Sequence, residues 1–191
     1  MTFLIDFISE FTDLPKKSTD KLIELVSVKK LKKKDTIAAI GEVPKNFFIL
    51  KSGVVRSFYK DEKGKEYIRN LFTPIKATGA LAALVLDKPS RLTYDCLTDC
   101  EVYVLNFKAF KELTIQDKGI ANLYARVLET IFIVLESKIY DLSVLNATER
   151  YIKLKKQSSN IENLIPQYHI ASFLNITPVQ LSRIRKEIYS K

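Results

Sequence analysis

The residues best suited to recognition chemistry lie near the C-terminus, in Pro166-Gln-Tyr-His-Ile-Ala-Ser-Phe-Leu-Asn-Ile-Thr-Pro-Val-Gln-Leu-Ser-Arg-Ile-Arg-Lys-Glu-Ile188. Leu181, Ile184 and Ile188 recur at the spacing of one helical face and point inward together. The opposite face carries Val179, Ser182, Arg183 and Lys186, with Thr177 at its start and Gln180 and Arg185 on its flanks. Such a set suits base edges and phosphates. An arginine can clamp guanine O6 and N7, a glutamine can pair with adenine, and a valine can cover a thymine methyl. Thr177 is placed to cap this helix, and Pro178 stands in its first turn, where a missing N–H costs nothing. Upstream, Ile170, Phe173 and Leu174 form the apolar face of a preceding helix. Ala171 is small where two helices approach, and Asn175 suits a left-handed turn between them. The pattern predicts a helix-turn-helix whose second helix, 177–189, reads the major groove of double-stranded DNA. The plainer alternative is an αα-hairpin that only packs. The fit of every part, at the basic end of the chain, favours DNA.

The charge distribution agrees. Residues 147–191 carry eight basic and three acidic side chains, so +5 of the chain's net +9 falls in its last 45 residues. That asymmetry is the footprint expected of a phosphate-binding unit. A second run, Lys29-Lys30-Leu31-Lys32-Lys33-Lys34, has no interleaved aromatics and reads as a solvated ridge leading into a strand. Catalytic and metal chemistries lack their residues. His169 is the only histidine and reads as a phosphate-facing surface group, while Cys96 and Cys100 read as small hydrophobes in or beside strands. No metal, no cofactor and no enzymatic activity are expected.

The elements that must position the recognition segment can also be read. The chain has 191 residues, 47% hydrophobic and 28% charged, enough for a real core. No apolar run approaches the roughly 18 residues of a membrane span, and Asp6 and Glu10 interrupt the apolar start, so neither membrane nor signal peptide is expected. Phe3, Leu4, Phe7, Ile8 and Phe11 predict a first helix. A second, with Ser18-Thr19-Asp20 as its cap region, runs through Leu22, Ile23, Leu25 and Val26. From Val28 to Phe107 short apolar runs (36–40, 47–50, 54–59, 67–72, 92–97, 102–107) alternate with turns, which indicates an all-β barrel or roll. Asp61-Glu62-Lys63-Gly64 reads as a hairpin loop. A long helix follows, with Ala121, Tyr124, Leu128, Ile131, Leu135 and Leu142 in one stripe and Ile120, Leu123, Val127 and Val134 in a second. Two apolar faces on one helix predict that one packs on the roll and the other on a second copy, which is favoured over the alternative of a central helix buried within a monomer. Asn146 and Glu149 predict a capping box that opens the C-terminal unit.

With these residues in hand, the chain resembles the cyclic-AMP receptor/fumarate–nitrate regulator (Crp/Fnr) family of transcription factors. Ile170 to Lys186 looks like the helix-turn-helix of the Bacteroidetes-type members. Gly41-Glu42, Phe47-Phe-Ile-Leu-Lys-Ser-Gly53-Val-Val-Arg56 and Asp61-Glu-Lys-Gly64-Lys-Glu66 are similar to the family's β-roll pattern. The resemblance implies an α+β fold in three parts. These are a β-roll (jelly roll) sensor of the cyclic-nucleotide-binding type with N-terminal helices (1–112), a dimerisation helix (113–145) and a helix-turn-helix domain (146–191). It implies a cytoplasmic homodimer with double-stranded DNA as partner, either an unassigned small-molecule effector or none, and RNA polymerase as a further partner of any activator. Because the chain ends at Lys191, the β-wing of many members is expected to be short or absent.

The resemblance also marks a departure. Nucleotide-binding members use a Gly-Glu-Leu cassette followed about ten residues later by Arg-Ser or Arg-Thr, the glutamate accepting from the ribose and the arginine pairing with the phosphate. Here the pocket candidates are Gly79, Ala80, Arg91 and Thr93. Ala80 has no acceptor, and Arg91 lies about one position out of register. Each missing charge-assisted partner costs on the order of 1.5–3 kcal/mol, so cyclic AMP is not expected as effector. A rival expectation is a small-molecule-binding module, cyclic-nucleotide-like, whose helical tail serves protein contacts.

Overall fold

A computed structural model describes residues 2–74 and 76–190. Its centre is a roll of two four-stranded antiparallel sheets. One sheet is ordered β1 (Val26–Leu31), β8 (Cys100–Asn106), β3 (Asn46–Ser52) and β6 (Lys76–Thr78). The other runs β2 (Thr36–Ala38), β7 (Thr93–Cys96), β4 (Val55–Lys60) and β5 (Glu66–Phe72). Alternation along the central strands sorts the side chains. Phe48, Leu50, Cys100 and Val102 point between the sheets, against Val55 and Cys96. Ile49, Tyr103 and Leu105 point outward, under the N-terminal helices. Both cysteines are therefore buried at strand ends, as expected. The β3–β4 turn needs Gly53 (φ +92°), because a Cβ there would stand 2.4 Å from the Asp99 carbonyl and 2.6 Å from Cys100 Sγ. The hairpin loop between β4 and β5 also forms as expected. Asp61 Oδ1 accepts from the N–H groups of Lys63 and Lys65, and Gly64 takes φ +79°.

Several local expectations need correction. The helix α2 (Lys16–Glu24) begins directly after Pro15, so Ser18-Thr19-Asp20 lies inside it rather than at its cap. Ser18 Oγ instead donates to Asp117. Val26 belongs not to that helix but to β1. The lysine run does not merely lead into a strand: Lys29 and Lys30 lie on β1, an edge strand paired to β8 from Val26↔Leu105 to Leu31↔Cys100. Exposed lysines on an edge discourage unwanted pairing, which is why this strand reads so poorly as one. A short helix α3 (Leu81–Leu86) follows β6.

The helical run expected after Phe110 divides. α4 (Phe107–Gln116) stops at Asp117, whose extended backbone (φ −135°, ψ 109°) ends one helix and caps the next, α5 (Lys118–Val144). Asp117 accepts from the N–H groups of Gly119 and Ile120 and is paired with Lys21 at 3.1 Å, so one carboxylate ties α2 to the start of α5. Burial works to raise the pKa of this carboxyl, but Lys21, Ser18 and the Ile120 N–H outweigh it and hold it below the usual range. The first turns of α5 pack Ile120 and Leu123 against α1 (Thr2–Ser9), α2 and α4. Farther along, Phe132, Ile133, Val134, Ile139, Tyr140 and Val144 are exposed.

The last helices are α6 (Ala147–Gln157), α7 (Ile161–Leu164), α8 (Gln167–Phe173) and α9 (Pro178–Tyr189). Asn146 and Glu149 form the expected capping box of α6. This unit has its own core of Tyr151, Leu154, Ile161, Ile170, Leu174 and Leu181. Val54 and Leu97, from two turns of the roll, are buried in that same core.

Candidate nucleic-acid interface

The turn between α8 and α9 follows from two local devices. Asn175 takes φ +56°, the left-handed conformation expected of it. The Ile176 N–H then bonds the Ala171 carbonyl at 3.0 Å and the Asn175 N–H the Ser172 carbonyl at 3.1 Å, a Schellman closure of α8. Thr177 opens α9 with a capping box. Its Oγ1 accepts from the Gln180 N–H at 3.1 Å, and its own N–H donates to Gln180 Oε1 at 2.9 Å. Ala171 is fully buried at the helix crossing, and Leu181 and Ile184 face the core, as their spacing requires.

The opposite face of α9 is open. Thr177, Val179, Gln180, Ser182, Arg183 and Lys186 are exposed. Two groups on or beside this face have prior engagements. The Gln180 amide oxygen is held by the capping box, so base recognition by this side chain must use its NH₂ or break the cap. Arg185 is only half exposed and pairs with Glu162 at 2.9 Å beside the Tyr189 ring. Glu162 also accepts from Tyr151 Oη at 2.6 Å, Lys155 Nζ at 2.5 Å and Tyr189 Oη at 3.0 Å. Burial and this carboxylate push the Tyr151 hydroxyl far above its ordinary range. Arg185 thus anchors the helix from within, leaving Arg183 and Lys186 as its outward cations.

His169 is not the surface residue its sequence context suggests. It is buried, 7% exposed, where α8 meets the roll, with Nδ1 3.4 Å from Arg56 Nη1. Arg56 itself is buried on β4. It makes a two-pronged contact with Asp95 (2.7 and 2.9 Å), reaches Glu66 at 2.5 Å and stacks over Phe58. Burial, then the Arg56 charge, pushes the His169 pKa down to about 4. Three residues on, Ser172 Oγ accepts from the Ile68 N–H at 3.0 Å and donates to the Glu66 carbonyl at 3.3 Å. β5 is an edge strand, so this one serine satisfies two groups on its free side. Lys138 of α5 adds a third tie, donating to the Arg69 carbonyl while its Nζ lies 4.4 Å from the Phe173 ring centre. Sequence reasoning missed this junction because Arg56 and His169 lie 113 residues apart.

Residues 28–117 match the cyclic nucleotide-binding domain family. No curated protein matches the sequence. Among solved structures, the fold is similar to FixK2 from Bradyrhizobium japonicum (TM-score 0.75, 17% identity, 86% of this chain and 85% of that one). It is similar also to a protein from Eubacterium rectale described as a transcriptional regulator of the Crp/Fnr family (TM-score 0.70, 14% identity, 93% and 85%). The Thermus thermophilus catabolite activator protein is a third (TM-score 0.58, 18% identity, 94% and 86%). The fold is that of the Crp/Fnr-type regulators. Within this Crp/Fnr-type roll, the pocket candidates come from two segments, 79–80 and 91–93, whose buried neighbours share one cluster. Gly79 and Ala80 lie between β6 and α3, with Ala80 buried against Ala38, Ala83, Leu92 and Tyr94. Thr93 Oγ1 accepts from the Ile40 N–H at 3.3 Å, and Arg91 is exposed. Among the described residues, the buried Thr78 hydroxyl nearby has no hydrogen-bond partner.

Proposed function

We propose that this chain is a cytoplasmic, DNA-binding transcriptional regulator that works as a homodimer. Two copies of α9 enter successive major grooves about 34 Å apart on a near-palindromic site. The observation that carries this reading is the free face of α9. It sets Val179, Ser182, Arg183 and Lys186 outward on a helix whose other face is anchored by Leu181, Ile184 and the Glu162–Arg185 pair. The second copy is supported by α5, where Leu128, Phe132, Leu135, Ile139 and Leu142 recur at alternating spacings of four and three, the seam of a coiled coil. Cyclic AMP is not the effector, since Ala80 offers no acceptor and Arg91 turns to solvent. Either another small molecule, able to satisfy groups such as the Thr78 hydroxyl, acts through the roll, or the chain binds DNA with no effector.

The test is selection of binding sites from random duplexes, without added ligand, at fixed near-physiological salt. An enriched inverted repeat is expected. Arg183→Ala should cost about 1–3 kcal/mol and relax the preference at one position per half-site. An unchanged selected sequence would remove Arg183 from base reading. The rival reading, a binding module whose tail serves protein contacts, draws on the grip of α8 on β5. It is favoured by a complete lack of salt-sensitive DNA affinity.

A further inference from the structure

The joint between α5 and the C-terminal unit encloses a small cleft. Lys138 and Asp141 of α5, Arg150 and Lys153 of α6, and Phe173 at the end of α8 are among its walls. Its volume of about 50 Å³ is room for about four waters. One small oxyanion fits in that space and a nucleotide does not. The charges around it do not balance. Asp141 is already engaged by Lys153, whose Nζ lies 2.7 Å away and also donates to Ser137 Oγ at 3.0 Å. Arg150 meets only carbonyls, donating from Nη1 to Leu145 at 2.5 Å and from Nε to Leu174 at 3.2 Å. Lys138 donates to the Arg69 carbonyl and to Asn70 Oδ1, with its Nζ over the Phe173 ring. Both cations are half-buried, and among the described residues neither is paired with a carboxylate. Burial, then the Arg69 charge, pushes the Lys138 pKa down to about 8, against the pull of Asp141. Cations withdrawn from water are ordinarily met by an anion. Here the fold supplies carbonyl dipoles and an aromatic ring instead.

We infer that this cleft is a binding site for one small oxyanion of the phosphate or sulfate class, held by Lys138 and Arg150 through charge-assisted hydrogen bonds. Both side chains have donors to spare. An ammonium carries three N–H groups and a guanidinium five, and the contacts above use two of each. The bound ion joins α5 to α6 and α8, and so stiffens the joint on which the C-terminal unit is carried. The site stands apart from the open face of α9 and does not depend on what that face reads.

The experiment titrates the full chain with inorganic phosphate, and separately with glycerol phosphate, while chloride is withdrawn to keep the ionic strength constant. Calorimetry should show one saturable site per chain. Amide hydrogen exchange of the wild type should slow around residues 145–150 and 173–175, a pattern that locates the ion without any variant. Lys138→Met keeps the apolar stem over Phe173 and removes the charge, and should weaken binding by about 10- to 100-fold. Phosphate also stabilises folded proteins by exclusion from their surface, so a thermal shift counts only as the difference between wild type and this variant. Lys186→Gln, on the open face of α9, should bind phosphate as the wild type does. Binding of glycerol phosphate as well as the free ion would identify a phosphoryl group as the ligand, and binding of the free ion alone an inorganic oxyanion. Equal affinity of Lys138→Met and wild type would overturn the site. So would a wild type that shows no saturable binding, or one whose protection is confined to α9.

Discussion

His169 shows how a buried group ties two parts of the chain to solution pH. Its pKa is pushed down to about 4 by burial and by Arg56, while Asp95 and Glu66 pull the other way and Lys33 adds to the lowering. An unfolded histidine titrates near 6.5, so the folded chain binds fewer protons between those values. Stability from this group is complete above pH 6.5 and is lost as pH falls toward 4. His169→Asn should abolish that loss. Measured by chemical denaturation, the stability advantage of wild type over the variant should shrink from pH 6.5 to 4, and a constant difference would place His169 in solvent. At this scale the sequence was partly legible. Leu181 and Ile184 announced their burial by spacing alone, and Asn175 its left-handed turn by type. His169 could not announce Arg56, because a polar contact across 113 residues leaves no local periodicity. Helical spacing set Arg185 on the flank and Arg183 on the open face, but the pairing of Arg185 with Glu162 on another helix left no local signal.

Among the elements, the α8–turn–α9 unit depends on backbone conformation as much as on packing. Asn175 at φ +56° is where a residue other than glycine, asparagine or aspartate pays roughly 1–2 kcal/mol. Asn175→Ala should lower the stability of the C-terminal helices by about that amount, whereas Asn175→Gly should cost less. Thermal unfolding of both variants checks this, and an alanine variant as stable as wild type would show that the turn is not strained. Helices with caps and clean stripes, such as α6 and α9, were legible. β1 was not, because its lysines serve an edge and mask the alternation that identifies a half-buried strand. β6 and α3 were hidden by brevity. The division at Asp117 was hidden because apolar residues continue on both sides of a one-residue break.

For the whole molecule, the proposed homodimer would be held by the exposed flank of α5. Phe132 and Ile139 are 61% and 66% exposed in one chain, more than a lone soluble helix needs to leave uncovered. Replacing both with lysine should leave a monomer in sedimentation experiments. It should also weaken binding to the full inverted repeat by about 10²–10⁴-fold, the loss expected when two linked half-sites become independent. A double variant that remains dimeric would place the interface elsewhere.

The hydrogen bonds of Ser172 to β5 carry a cost for any protein that moves its C-terminal unit. While α8 stays docked, the Ile68 N–H and Glu66 carbonyl are covered by a side chain from another part of the fold. Once α8 departs, they become the bare rim of a sheet, a template that any extended chain can lengthen. Freedom to move α8 and protection of this strand edge are therefore set against each other at a single serine, since an undocked chain would offer an edge open to pairing.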